Sequence, residues 1–122
     1  MLTQKQIKGK LGEDAAARHL ESRGFVLLCR NYHTRYGEVD IIARDAQYLL
    51  FVEVKARGVQ MWGTPAEAVT PEKQRKIIFA AQQYMQKNPL DLQPRFDAAE
   101  VYLNAAGVPR KLRWIQHAFE TE

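Results

Sequence analysis

The chain has 122 residues, 46% of them hydrophobic and 26% charged, a balance that is ordinary for a folded globular protein. This length predicts a single domain over residues 1–122, large enough to bury most of its apolar surface. The apolar runs are far shorter than the ~20 residues that cross a bilayer, and residues 1–6 lack the apolar stretch of a signal peptide. We therefore expect no membrane partner.

The net charge of +4 favours a polyanionic partner such as nucleic acid. The single cysteine, Cys29, excludes an internal disulfide and favours a reducing, cytoplasmic location. We expect Cys29 to be a small core residue rather than a nucleophile.

The first helix is predicted from a capping box, in which Thr3 and Gln6 have the required spacing. Gly24 is a suitable residue just beyond the helix end. Gly9 and Gly12 lie three residues apart within the helix, where each glycine costs about 0.8–1 kcal/mol relative to alanine. The two glycines therefore predict close approach of another backbone or of a ligand to this face.

Three apolar runs follow the first helix. Residues 25–30 predict a strand, and residues 31–35 predict either a polar turn or a continuation of it. The runs 36–44 and 48–57 flank a short polar break and predict a β-hairpin. The second hairpin run is apolar on both faces over much of its length, which is typical of a strand buried on both sides.

The register of this hairpin decides whether two carboxylates meet. If the turn has an even number of residues, Arg44 pairs with Leu49, and Asp40 lies opposite Glu53 with Cβ atoms about 5 Å apart. A divalent cation would remove the repulsion, and Mg²⁺ binds carboxylate oxygens at about 2.0–2.1 Å. Lys55 shares the strand face of Glu53. An odd turn without a bulge would place Asp40 on the other face.

A loop is predicted over residues 56–65, because its glycine and proline residues end the strand. Trp62 on this loop is predicted either to stack on an unpaired base or to fold back onto the core. Arg57 is predicted either to bind a phosphate through two N–H groups or to remain solvated.

The second helix is predicted to begin with Thr70 as its N-cap and Pro71 at its first position, and to end near residues 88–89. Apolar residues with helical spacing predict its core-facing stripe: Ile77, Ile78, Ala81, Tyr84 and Met85. The first turns carry Lys73, Arg75 and Lys76, which form either a phosphate-binding set or an ordinary solvated face.

Residues 94–103 and 111–119 predict two more strands that pair with each other. Asp97 is a polar residue within the first of them, and Trp114 in the second is available to the core or to a dimer partner. The three histidines have no mutual spacing that indicates a metal site.

Four motifs, in order along the chain, resemble one protein family. They are Gly9-x-x-Gly12-Glu13, Gly37-Glu38-Val39-Asp40-Ile41-Ile42-Ala43, Phe51-Val52-Glu53-Val54-Lys55 and Arg95-Phe96-Asp97. Together they resemble the YraN family of bacterial proteins, which is similar to archaeal Holliday-junction resolvases. Asp40 with Glu53-x-Lys55 also resembles the D…E-x-K constellation of restriction-endonuclease-like nucleases. The resemblance extends from about residue 8 to residue 102.

This resemblance implies a restriction-endonuclease-like α/β fold, with a central mixed β-sheet of about five strands flanked by helices. It implies an endonuclease that depends on Mg²⁺, or on Mn²⁺ in its place, and hydrolyses DNA, including branched or damaged DNA. Asp40, Glu53 and Glu13 would hold the metal, and Lys55 would orient the attacking water and stabilise developing negative charge. Resolvases of similar type act as symmetric dimers, so a homodimer is one implied partner state.

Other interpretations stay open at this point. Without the resemblance, Glu13 is typical of a solvated helix glutamate. The whole chain is also compatible with a nucleic-acid-binding module that keeps the fold without cleaving, or with a structural interaction domain. The last of these would show no salt-dependent DNA binding.

Overall fold

A computed structural model of the chain describes residues 1–121. Its elements are α1 (Gln4–Ser22), β1 (Val26–His33), β2 (Glu38–Arg44), β3 (Tyr48–Gly58), α2 (Pro71–Lys87), β4 (Gln93–Leu103) and β5 (Pro109–Phe119). A short 3-10 turn, Val59–Met61, follows β3. Neither α1 nor α2, the helices within this range, has the length and hydropathy of a bilayer-spanning segment.

The five strands form one mixed sheet in the order β1-β2-β3-β4-β5. All neighbours are antiparallel except β3 and β4, which run parallel. A parallel pair needs a crossover connection, and the chain between these two strands contains α2. The predicted α/β class, a mixed sheet of five strands flanked by helices, is confirmed.

Apolar layers cover both faces of the sheet. The α2 layer contains Ile77 and Ala81 from the helix and Phe51 from β3. The α1 layer contains Leu20 from the helix and Val52 from β3. Because successive residues of β3 point into opposite layers, the strand is buried on both sides, as its apolar sequence predicts.

The predicted helix starts are confirmed by their hydrogen bonds. The Thr3 N–H donates to Gln6 Oε1 at 2.9 Å, and the Gln6 N–H donates to Thr3 Oγ1 at 3.1 Å. At the start of α2, the Thr70 hydroxyl accepts from the Lys73 N–H at 3.2 Å, with Pro71 at the first helical position. Each cap satisfies backbone N–H groups that the helix itself leaves unpaired.

Two strand boundaries differ from the prediction. β1 continues through residues 31–33, so this segment is the continuation rather than the turn. β3 extends beyond Lys55 as far as Gly58, because β4 offers it a parallel partner up to the pairing of Gly58 with Leu103. Gly58 ends β3, three residues after Lys55, although the loop was predicted to begin at residue 56.

The two glycines of α1 have different surroundings. A Cβ added to Gly12 would lie 3.1 Å from the Cβ of Ala56, so the predicted close approach of another element is confirmed there. A Cβ added to Gly9 would meet no atom of the described residues within 4 Å. For Gly9 the predicted approach of another backbone is therefore not found among residues 1–121, and the predicted approach of a ligand stays a prediction.

Candidate metal centre

The hairpin between β2 and β3 has the predicted even register. Arg44 pairs with Leu49, and the ladder continues to the pair Ile41 and Val52. Asp40 is the next residue of β2 beyond that last pair. The register set by the even-length turn therefore places Asp40 of β2 alongside the middle of β3.

The backbone pairing of β2 with β1 and with β3 has no pair at Asp40. On the β1 side, the pairing passes over Asn31 and Asp40, and Asn31 has a φ of 53°, in the left-handed region. Val39 packs in the α2 layer whereas Ile41 packs in the α1 layer. Simple alternation would have placed these two side chains in one layer, so the alternation on which the prediction relied slips by one residue at Asp40.

The carboxylate of Asp40 bonds to β3 where the backbone ladder stops. Its Oδ2 accepts the N–H of Val54 at 2.7 Å. Burial raises the pKa of Asp40 above its ordinary value, the Val54 N–H opposes this rise, and the negative charge of Glu13 adds to it. The hydrogen bond keeps the carboxylate beside Glu53 despite the slip in the strand.

Glu53 is the most perturbed carboxyl group of the site. The residue is 8% exposed, and its Oε2 is buried with no hydrogen-bond partner among residues 1–121. Burial and the negative charge of Asp40 together raise the pKa of Glu53 to about 7, although Lys73 and Lys55 oppose the rise. A buried carboxyl with a free oxygen beside a second carboxyl is an arrangement that a bound cation would stabilise.

Helix α2 brings an ammonium group to these carboxylates. Lys73 Nζ donates to Glu38 Oε1 at 3.0 Å and lies 3.9 Å from Glu53 Oε1. The sequence predicted that Lys73 belongs either to a phosphate-binding set or to an ordinary solvated face. The structure instead places its ammonium between acidic groups of β2 and β3.

Glu13 approaches the site from α1 but has protein partners of its own. It is buried, and its Oε1 accepts Arg30 Nε at 2.9 Å and Asn31 Nδ2 at 3.0 Å. The left-handed backbone of Asn31 lies next to this contact. Glu13 is therefore near enough to raise the pKa of Asp40, while one of its oxygens is already occupied.

Lys55 lies on the same side of β3 as Glu53 and pairs with a loop residue. Its Nζ is 3.6 Å from Glu67 Oε2, on an exposed carboxylate. The backbone N–H of Glu67 donates to the buried carboxylate of Glu100 at 3.0 Å, which also accepts the Tyr102 hydroxyl at 2.8 Å. The loop that carries the partner of Lys55 is thus attached to β4.

Arg57 and Trp62 pack against β4. Arg57 Nη1 lies 3.3 Å from Glu100 Oε2, so the guanidinium is not simply solvated, and its contact with a phosphate stays a prediction. Trp62 packs edge-to-face on Tyr102 with ring centroids 5.0 Å apart and remains 44% exposed. The edge of Trp62 that contacts Tyr102 corresponds to the second of its predicted positions, in which the side chain folds back onto the core.

The remaining candidates lie apart from the carboxyl pair. Arg75 is exposed on α2, and Lys76 Nζ pairs with Glu72 of its own helix at 3.5 Å. Asp97 is buried, accepting Arg95 Nη2 at 2.9 Å and Trp114 Nε1 at 2.8 Å. Asp97 therefore fastens β4 to β5, and Trp114 contributes to that contact.

The structure thus brings together Asp40, Glu53 and Lys73, with Glu38 and Glu13 beside them. As they stand, no group of three or more His, Cys, Asp or Glu side chains in the described part of the chain is arranged to hold a metal ion. Sequence reasoning missed the roles of Glu38 and Asn31. Glu38 lies within the second motif, whereas the contact of Asn31 with Glu13 has no signal in the sequence.

The fold and the site together define an α/β protein in which a half-buried aspartate and a buried glutamate lie together at the end of a hairpin ladder. The chain belongs to the family described as "Uncharacterised protein family UPF0102", whose family model matches residues 12–101. A UPF0102 protein of Desulforapulum autotrophicum is 45% identical over the full length of both chains. Another from Geobacter sulfurreducens is 44% identical over 94% of this chain and 90% of its own.

A UPF0102 protein of Clostridium botulinum is 39% identical over 92% of this chain and 93% of its own. These relatives confirm the family that the four motifs indicate. Membership in this family does not by itself assign an activity.

Proposed function

We propose that this protein is a metal-dependent endonuclease that hydrolyses phosphodiester bonds in DNA, including branched or damaged DNA. The observation that carries the proposal is the pair of the half-buried Asp40 and the buried Glu53, with the Glu53 Oε2 unbonded among residues 1–121 and the pKa of Glu53 raised to about 7. Perturbed carboxyl pairs of this kind are concentrated at functional sites.

The donor set fits a hard divalent cation. Asp40 and Glu53 offer carboxylate oxygens, which Mg²⁺ and Mn²⁺ prefer, and Glu13 would contribute directly or through a water molecule. When bound, the cation would lower the pKa of a water molecule and polarise a phosphoryl oxygen. The occupied oxygen of Glu13 makes Asp40 and Glu53 the two principal ligands.

Two ammonium groups border the carboxyl pair and suit a phosphate. Lys55 is paired with an exposed glutamate at 3.6 Å, a contact that a phosphate group would readily replace. In that position Lys55 would orient the attacking water and stabilise charge that develops on the phosphorus oxygens. Lys73 supplies positive charge beside the same carboxylates and would face the bound phosphate from α2.

Cleavage of labelled branched, single-stranded and duplex DNA in Mg²⁺ or Mn²⁺ tests the proposal. Because each charge-stabilising group of this kind is worth about 10²–10³ in rate, we expect Asp40→Asn and Lys55→Ala to lower cleavage by at least about 100-fold. Glu72→Gln is the matched control, since it removes an exposed carboxylate of α2 that pairs with Lys76. Cleavage that is unchanged in Asp40→Asn would come from a contaminant and would overturn the proposal.

A second candidate is a nucleic-acid-binding module that keeps this fold without cleaving. It is favoured by the engagement of Glu13 Oε1 with Arg30 and Asn31, and by the finding that no group of three or more side chains in the described residues is arranged to hold a metal ion. Such a protein would bind DNA in the presence of chelator, gain no stability from divalent cations and leave all three substrates intact.

A further inference from the structure

The first half of α1 carries three lysines in an electrostatically unfavourable place. Lys5, Lys8 and Lys10, here called the N-terminal lysine surface, are all exposed, and the first turn has no acidic residue. The N-terminal end of a helix has a partial positive charge over its first turn, where the ammonium of Lys5 lowers stability. Within residues 1–121, none of the three forms an ion pair.

Gly9 is the second unfavourable feature of the same surface. Glycine within a helix lowers stability relative to alanine, and packing often explains it. Here a Cβ would meet none of the described atoms within 4 Å, whereas at Gly12 it would meet Ala56 at 3.1 Å. Gly9 therefore leaves open space above the helix backbone, in the middle of the lysines.

This surface borders the candidate metal centre. Gly9 lines two cavities, one of about 440 Å³ that Lys5 and Lys8 line together with Val54 and Ala56 of β3. The other, of about 490 Å³, is lined by Lys10 together with Glu13. Val54 is the residue whose N–H holds the Asp40 carboxylate. The lysines thus lie on the α1 side of the sheet, next to Glu13 and Val54, whereas Glu53 faces Lys73 on the α2 side.

We propose that the N-terminal lysine surface binds the sugar–phosphate backbone of DNA beside the bond to be cleaved. Three unpaired ammonium groups suit phosphate oxygens, and the open space at Gly9 lets a strand approach the helix closely. The inference rests on the proposed function, because it assigns the DNA path through the same site. It adds α1 to the phosphate contacts that the second helix was predicted to make.

The test measures DNA binding in EDTA as a function of salt, with a fluorescein-labelled duplex and a labelled four-way junction. The triple variant Lys5→Gln, Lys8→Gln, Lys10→Gln is compared with the wild type. Each lost phosphate contact makes the plot of log affinity against log salt shallower by about one, so we expect a change of about two to three. Thermal unfolding of the triple variant should be unchanged or raised, since cations leave the helix start.

The control carries the same loss of charge elsewhere. Arg18→Gln, Lys87→Gln and Arg110→Gln change three exposed side chains of α1, α2 and β5. We expect this control to keep most of the wild-type slope. If the two triple variants lose affinity equally while the wild type binds and cleaves, the lysine surface is overturned and the nuclease proposal stands. If the wild type shows no salt-dependent DNA binding, the proposed function itself fails.

Discussion

The Glu53 carboxyl group lies in surroundings that favour its protonated form. It is buried, its neighbour Asp40 is negatively charged, and its Oε2 has no partner in the described residues. The pKa is therefore about 7 in the folded chain, compared with an ordinary value of 4.5. A group whose folded pKa is raised contributes stability below its unfolded pKa and loses that contribution as the pH rises through the folded value.

Glu53→Gln should therefore change the pH dependence of stability in metal-free protein. Glutamine keeps the shape of the side chain without its charge, so we expect the variant to be more stable than the wild type at pH 8. Near pH 4.5 most of this advantage should disappear, because the wild-type carboxyl is then protonated in the folded state and half protonated in the unfolded state. Thermal unfolding in EDTA at pH 4.5 and pH 8 measures the difference.

Glu72→Gln serves as the control for this comparison, because its carboxylate is exposed on α2. If the difference in unfolding temperature between the wild type and Glu53→Gln is the same at both pH values, the raised pKa of Glu53 is contradicted.

Helix α2 is held in position partly by the turn that precedes β2. A Cβ added to Gly37 would overlap the backbone carbonyl oxygen of Lys76, so only glycine allows the turn to lie against the helix. The backbone of Gly37 itself is part of that turn, since its carbonyl accepts the N–H of Thr34 at 2.8 Å. This contact matters for the site, because α2 carries Lys73 to Glu38 and Glu53.

Alanine at Gly37 and at Gly9 should have opposite effects. Gly37→Ala forces the turn away from α2, and overpacking of this kind costs about 1–3 kcal/mol. Gly9→Ala meets open space in a helix and should raise the free energy of unfolding by about 0.8–1 kcal/mol. Urea unfolding of both variants gives the comparison; a Gly37→Ala protein as stable as the wild type would show that the turn does not pack there.

Across the whole molecule, the candidate site is assembled from elements that are distant in the chain. Glu13 comes from α1, Asp40 from β2, Glu53 and Lys55 from β3, and Lys73 from α2. The sheet brings β2 and β3 together, and the helices cover opposite faces. The site therefore exists only in the folded chain, so a ligand bound there should stabilise the fold as a whole.

Divalent cations should accordingly raise the unfolding temperature of the wild type. A ligand that binds only the folded state adds about 2.7 kcal/mol at a concentration 100 times its dissociation constant. We expect Mn²⁺ or Mg²⁺ to raise the midpoint with increasing concentration, and EDTA to reverse the effect. Asp40→Asn should lose most of the shift, whereas Glu72→Gln should keep it. A midpoint that is independent of both cations in the wild type would remove the basis of the metal site.

Much of the local structure follows from the sequence alone. The capping box at Thr3, the N-cap at Thr70 and the pairing of Arg44 with Leu49 are each determined within a few residues. The burial of β3 on both faces follows from its apolar pattern. These features depend on backbone geometry and on which side chains avoid water, and both are properties of short segments.

Only the tertiary structure decided how the site is arranged. The slip in alternation at Asp40, the bond from Asn31 to Glu13 and the position of Lys73 among carboxylates all require contacts between separate elements. The same holds for the two glycines of α1. Their spacing predicts the same close approach for both, and only the position of β3 shows that Gly12 is closely packed whereas Gly9 is not. A sequence pattern specifies which face of an element is apolar, whereas the charge and hydrogen-bond partners of a residue depend on what packs against it.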